Sequence, residues 1–272
     1  MEQRKITFIG AGNMAQAIIA GLLRAGYPAP LICATNRTAE TRHALADRFG
    51  IQTSADNLSA AAEADVIVLG VKPQNMADTL APLAPLNWHG KLVISLAAGI
   101  SVARLQQLLS GAPQIIRVMP NTPALLGEGM SGLFAAPAVN QADRQFADTL
   151  LSAVGKTCWL AAESDINGVI AASGSAPAYF FLFMEAMQAE AQRQGFSADT
   201  ARALVQQAAL GAARMVVENP HTSLPELRAQ VTSKGGTTAE AIRVFNEEHL
   251  PEMVAKAMQA AVQRAQEMEK LF

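Results

Sequence analysis

The chain has 272 residues, half of them apolar and 16% charged, a balance ordinary for a soluble globular protein with one large core or two medium ones. Lys and Arg number 21 against 23 Asp and Glu, and the net charge of −2 gives no reason to expect nucleic acid or an anionic membrane surface as a partner. Cys33, inside an apolar run, and Cys158, beside Trp159, have no metal-ligand spacing; they read as two buried thiols rather than a disulfide, in a reducing compartment, the cytoplasm. His43, His89, His221 and His249 are scattered without a helical pair, so no metal site is expected.

In chain order, Arg4 and Lys5 precede an apolar stretch reaching Leu23, but Asn13 and Gln16 interrupt it, so it is not read as a secretory signal. Short runs at 6–9, 31–34, 66–69, 92–95 and 115–118 are apolar throughout, as in strands of a sheet covered on both faces. Segments with a polar outer face, such as 39–48 and 102–109, alternate with them. This alternation predicts an α/β fold built on a doubly wound parallel sheet, the Rossmann type, over residues 1–160. From 161 to 272 the texture is Ala- and Gln-rich and helical, without strand patterns, and is read as an all-α second domain. Residues 166–184 carry no charge and are long enough to span a bilayer, yet Asn167, Ser173, Ser175 and Pro177 favour a buried interface helix instead. Val254, Met258, Ala261, Ala265 and Met268 form an apolar seam on a last helix that starts near Pro251.

Two glycine-bearing motifs carry chemistry. After the first strand, Gly10-Ala11-Gly12-Asn13-Met14-Ala15 has the context of a dinucleotide turn: Gly10 for the tight bend, Gly12 for backbone approach to a pyrophosphate, and small Ala15 for helix-on-strand packing. The second strand is followed by Thr35-Asn36-Arg37 with no acid to hold a ribose 2′-hydroxyl, which suits the 2′-phosphate of NADPH. Gly70-Val71-Lys72-Pro73 and Leu96-Ala97-Ala98-Gly99 lie at later strand ends, where open α/β sheets hold ligands, and Lys72 is placed to face a phosphate or ribose. Met119-Pro120-Asn121-Thr122-Pro123 is a stiff polar turn suited to framing a nicotinamide. Far downstream, Ser233-Lys234-Gly235-Gly236-Thr237-Thr238 precedes an amphipathic helix, and its backbone N–H groups, helix start and hydroxyls make an anion cradle. At least one of the threonines is expected to cap that helix.

The motifs Gly10-Ala11-Gly12-Asn13-Met14, Val71-Lys72-Pro73, the run 117–123, the run 173–179 and Gly235-Gly236-Thr237-Thr238 occur in an order that resembles the pyrroline-5-carboxylate reductases over essentially the whole chain. The resemblance implies NAD(P)H-dependent reduction of 1-pyrroline-5-carboxylate to proline by a Rossmann domain followed by a helical dimerisation domain, in dimers that can join into rings. It also implies cofactor contacts at Gly10, Ala11, Gly12, Asn13, Met14, Thr35, Asn36, Arg37, Asn57, Val71, Lys72, Pro73, Ala97 and Ala98, with NADPH favoured and NADH allowed. Substrate contacts are implied at Ser233, Gly235, Gly236, Thr237 and Thr238, with Glu163 where a substrate-side glutamate is often found. Lys234 and Ala176 depart from the family's usual proline and glycine or serine.

The residues agree with that chemistry. Carbonyl reduction develops alkoxide charge and needs a lysine or histidine acid, and residues 168–187 contain neither. A protonated cyclic imine is already electrophilic, so a hydroxyl suffices, and Thr238 is the candidate partner of its ring nitrogen. A hydroxy-acid dehydrogenase of similar build and a catalytically silent dinucleotide-sensing protein are the rival readings. Tyr179, Phe180, Phe181, Phe183 and Met184 crowd nearly all sides of one helix, which predicts a homodimer at least.

Overall fold

The computed structural model of the chain describes residues 2–111 and 114–271. They form two compact units: one holds residues up to Ser175 together with those from Ala261 onward, and the other is Ala176–Ala260.

In the first unit β1 (Ile6–Ile9), α1 (Asn13–Arg24), β2 (Ile32–Thr35), α2 (Ala39–Phe49), β3 (Gln52–Ser54), α3 (Asn57–Glu63), β4 (Val66–Leu69), α4 (Met76–Leu80), β5 (Leu92–Ser95), α5 (Val102–Leu108) and β6 (Gln114–Met119) alternate. Then come β7 (Gly129–Ala135), α6 (Gln141–Ser152), β8 (Gly155–Trp159) and α7 (Asp165–Val169). Among the described residues the strands make one eight-stranded sheet in the order β3-β2-β1-β4-β5-β6-β7-β8. All neighbours are parallel except β6 and β7. β1, β4 and β5 are buried along their whole length, as continuous apolar runs under helices on both faces must be. On α1 the residues Ala15, Ile18, Ile19 and Leu22 recur at helical spacing and are the face laid on the sheet.

Three strands lie outside the sequence pattern. β3 is three residues of polar Gln-Thr-Ser at an edge, β7 contains two glycines, and β8 forms the opposite, half-exposed edge. The β7 glycines answer to crowding: a Cβ on Gly129 would meet the Val154 carbonyl at 2.8 Å, and one on Gly132 would meet Val169 at 2.8 Å. Cys33 and Cys158 are free, as expected, but half-buried rather than buried, because β2 and β8 are only partly covered at those positions. Burial pushes the Cys33 thiol pKa up.

The second unit contains α8 (Ala176–Arg193), α9 (Ala198–Glu218), α10 (Leu224–Gln230), α11 (Thr237–Glu247) and the start of α12 (Leu250–Leu271), whose remainder belongs to the first unit. Ser197 caps α9, and Ser223 with Glu226 forms a reciprocal capping box on α10. Phe183 and Phe245 meet with ring centroids 5.8 Å apart. Otherwise the unit encloses little: among its described residues only Ala201, Val205 and Leu227 are buried, while Phe180, Phe181 and Leu182 are 68, 64 and 67% exposed. The run Asp165–Arg193 is long and apolar enough to cross a membrane by length and composition, and 17% of its most apolar window is buried. The enclosure expected for it as an interface helix does not come from this chain's own elements.

Candidate active site

The strand order reverses beside β1, which pairs with β2 on one side and β4 on the other, and the turn that follows β1 opens there. Gly10 has φ +88°, and a Cβ on it would strike Val71 Cγ1 at 2.5 Å and the Gly70 carbonyl carbon at 3.1 Å. Gly12 differs: it is the N-cap of α1 in extended geometry, with nothing nearer a built Cβ than the Gly70 oxygen at 3.9 Å. No side chain caps α1, and the N–H groups of Asn13, Met14 and Ala15 have no partner among the described residues. Three free donors at the positive end of a twelve-residue helix form an anion site.

Next to this turn lies a cleft of about 420 Å³ lined by Gly10, Thr35, Asn36, Arg37, Thr38, Asn57, Val71, Asn75, Asp78 and Thr79, among others. Six of the sequence-derived cofactor residues, Gly10, Thr35, Asn36, Arg37, Asn57 and Val71, therefore share one wall system. Ala11, Gly12, Asn13 and Met14 form the adjoining turn and helix start, and Lys72 is exposed ahead of the 3-10 turn Pro73–Asn75. Ala97 is buried and Ala98 half-buried on the β5 loop. The segment after β2 is held in shape: Asn36 Oδ1 accepts from the Thr38 N–H at 3.0 Å, and Arg42 Nη1 donates to the carbonyls of Asn36 and Arg37 at 2.8 and 2.9 Å. That leaves the Arg37 guanidinium exposed on the rim. Arg42, Asn75, Asp78 and Thr79 escaped the sequence reading; their only signal was position, one turn into the helix after β2 or just past the β4 loop.

The turn after β6 is braced by Asn121, which donates to Ser173 Oγ at 3.1 Å and accepts from the Met130 N–H at 2.9 Å. A Cβ on Gly174 would lie 2.7 Å from Met119 Cε, so the π-helical turn Ile170–Gly174 is packed closely against this turn. Glu163 is not a free carboxylate. Its Oε1 accepts from Arg117 Nη1 at 2.7 Å and from the Val102 N–H at 2.7 Å.

In the helical unit, Gly235 has φ +72° and Gly236 is the N-cap of α11. A Cβ on Gly236 would collide with Ser233 Oγ at 2.5 Å, and the Gly236 N–H closes the turn onto the Ser233 carbonyl at 3.0 Å. The expected threonine cap is not found: Thr237 and Thr238 are the first two helical residues, because the glycine occupies the cap with no side chain to bond. Their hydroxyls and the N–H groups of Thr237, Thr238 and Ala239 have no hydrogen-bond partner among the described residues. The loop is an open anion cradle with two hydroxyls at its lip.

Residues 163–268 match the family model described as pyrroline-5-carboxylate reductase dimerisation, and residues 5–99 match that of NADP oxidoreductase, coenzyme F420-dependent. A pyrroline-5-carboxylate reductase of Vibrio alginolyticus is 62% identical over 272 residues, with 100% of each chain covered. The chain belongs to the pyrroline-5-carboxylate reductase family. A solved family structure from Coxiella burnetii is 41% identical with TM-score 0.92, covering 98% of this chain and 99% of the other. The Plasmodium falciparum pyrroline carboxylate reductase, solved with NADP bound, is 26% identical with TM-score 0.87 and covers 99% of both chains. For a reductase of this family the two glycine sites account for what it must hold: the α1 start suits a nicotinamide dinucleotide, and the α11 start suits a small carboxylate.

Proposed function

We propose that this chain reduces 1-pyrroline-5-carboxylate to L-proline, the final step of proline biosynthesis, with NADPH preferred to NADH. The observation that carries the substrate reading is the uncapped start of α11, where Gly235 and Gly236 leave three N–H donors and two hydroxyls unpartnered. Such a group of donors binds a carboxylate without a cationic side chain. When bound, the reduced nicotinamide supplies the hydride. Gly10 to Met14 hold the pyrophosphate on the α1 start, and Thr35, Asn36, Arg37, Asn57 and Val71 line the adenosine side. The residues fit a 2′-phosphate, since no acid follows β2 and Arg37 stands exposed on the rim of the cleft. Lys72, Pro73, Ala97 and Ala98 border the dinucleotide farther along.

The free N–H groups at the α11 start hold the substrate carboxylate in the loop shaped by Ser233, Gly235, Gly236 and Thr237, and the Thr238 hydroxyl bonds the ring nitrogen. Because the iminium loses charge as hydride arrives, no strong acid is required, and the protein contributes positioning. Glu163 acts through Arg117 and Val102 rather than as a lone substrate ligand. Residues 1–160 serve as the nucleotide domain and 161–272 as the substrate and dimerisation domain. A second copy covers the exposed α8 face, giving a homodimer at least, with rings of dimers open to the family; the enzyme works in the cytoplasm.

The test is NADPH absorbance with 1-pyrroline-5-carboxylate against a panel of 2-keto and 3-keto acids. Oxidation with the imine alone, with proline as product, is expected. Turnover of a keto acid at a comparable kcat/KM would favour a hydroxy-acid dehydrogenase, and dinucleotide binding with no turnover would favour a sensing protein.

A further inference from the structure

Arg117 is the largest fully buried side chain of the first unit, 2% exposed on β6 and in register with Ser95, the last residue of β5. Its Nη1 lies 2.7 Å from Glu163 and 3.5 Å from Glu269 on α12, while its Nη2 is buried with no hydrogen-bond partner. A buried guanidinium facing two carboxylates is an organising centre, because one cation ties together acids from the segment before α7 and from α12.

Its two acid partners sit on segments that touch the loop leaving β5. Ala97 N–H donates to Ser95 Oγ at 3.4 Å at one end of that loop. At the other, the Val102 N–H, the first of α5, donates to the Glu163 oxygen that Arg117 also holds. Between them Gly99 has φ +74°, and a Cβ there would stand 3.0 Å from Met268 Cβ and 3.4 Å from the Met268 carbonyl carbon. The last turns of α12 thus lie directly on Gly99 and send Glu269 to Arg117. The segment 96–101 is held from below by the sheet, from its far end by Glu163, and from above by α12.

We propose that Glu269 and Arg117 are positioning residues for the dinucleotide: with Glu163 they fix the Ala97–Ala98 backbone in its binding geometry, so that the end of α12 sets cofactor affinity. This rests on the reading that Ala97 and Ala98 border the dinucleotide. Neither Arg117 nor Glu269 is among the residues read as substrate contacts, so the effect separates by ligand. Loosening the loop weakens dinucleotide binding and leaves the substrate KM alone.

The experiment measures the Kd for NADPH on the intact enzyme by quenching of tryptophan fluorescence, alongside both KM values and the thermal midpoint. Glu269→Ala is expected to raise the NADPH Kd about three- to tenfold, the coupling typical of a contacting network, with the imine KM unchanged. Glu269→Asp, which keeps the charge, is expected to recover most of the affinity. Arg117→Lys, unable to serve two acids at once, is expected to match the alanine variant if it folds; Glu269→Ala alone suffices if it does not. A wild-type Kd in Glu269→Ala, or equal rises in both KM values, overturns the proposal. Ala98→Val separates the two layers of the argument. If it leaves the Kd unchanged, the loop does not border the dinucleotide and the site reading fails, whereas a weakened Ala98→Val beside an unaffected Glu269→Ala refutes the positioning role alone.

Discussion

Gly10 and Gly12 belong to one short motif, yet the structure assigns them different work, and alanine at each position separates the two. At Gly10 the backbone φ of +88° lies in the left-handed region, and an added methyl meets Val71 Cγ1 at 2.5 Å. The backbone cost is about 1 to 2 kcal/mol, and overpacking against Val71 and Gly70 adds about 1 to 2 more, roughly 2 to 4 kcal/mol in all. For a chain of this size that lowers the thermal midpoint by roughly 5 to 15 °C. Gly12 has extended geometry and no neighbour within 3.9 Å, so Gly12→Ala folds at a cost of about 0.5 to 1 kcal/mol at the helix cap. Its methyl instead occupies the approach to the three free N–H donors of α1. Losing two hydrogen bonds to a charged phosphate costs about 3 kcal/mol, roughly a hundredfold in Kd. NADPH binding by fluorescence and melting by circular dichroism read the two quantities. A Gly12→Ala protein that binds NADPH within about twofold of wild type, or a Gly10→Ala protein with an unchanged midpoint, would refute the division of labour.

Arg37→Ala is expected to raise the KM for NADPH and leave that for NADH nearly unchanged in steady-state kinetics, since only the former carries a 2′-phosphate; equal losses would show that Arg37 is simply a rim residue. The Ser223 hydroxyl and N–H hold the Glu226 carboxyl below its usual range, so the capping box stabilises above that range and is lost as pH falls through the depressed value. Ser223→Ala should therefore flatten the fall of the thermal midpoint below about pH 5, and an unchanged slope would show that the box contributes nothing. Sedimentation of the dilute enzyme should give a dimer or larger, because α8 exposes Phe180, Phe181 and Leu182 on a unit with almost no core of its own. An active particle with the 28.7 kDa mass of one chain would contradict this.

Much of this fold is legible because its central strands are uninterrupted apolar runs, and a run such as Val-Ile-Val-Leu at β4 has few alternatives. β3, β7 and β8 are not legible for the opposite reason: they sit at or near the sheet margins, where polar Gln52, the glycines of β7 and exposed Lys156 satisfy local geometry without an apolar pattern. Gly10, Thr35, Asn36, Arg37 and Val71 on the wall of the cleft could be named because they lie at the ends of strands that the pattern locates, whereas Asn57, after β3, came only with the family resemblance. Arg42, Asn75 and Asp78 could not be named, since their contributions depend on how the next helix turns back. Arg117 is the plainest case. A basic residue within an apolar strand is explained only by Glu163 and Glu269, and no local pattern announces partners so distant in sequence. The α11 start shows the same limit at close range: hydroxyl residues beside a helix suggest capping, but the glycine takes the cap and leaves the hydroxyls without a partner among the described residues.

The central claim is that the Ser233 to Thr238 loop binds the imine and that Thr238 acts on its ring nitrogen. Pre-steady-state and steady-state rates of Thr238→Ala and Thr238→Ser, with NADPH and 1-pyrroline-5-carboxylate, test it most directly. Loss of one hydrogen bond to a charged group costs about 1.5 to 3 kcal/mol, so the alanine variant should turn over roughly ten- to a hundredfold more slowly with NADPH affinity intact. The serine variant keeps the hydroxyl and should stay close to wild type. An alanine variant with wild-type turnover would contradict the account.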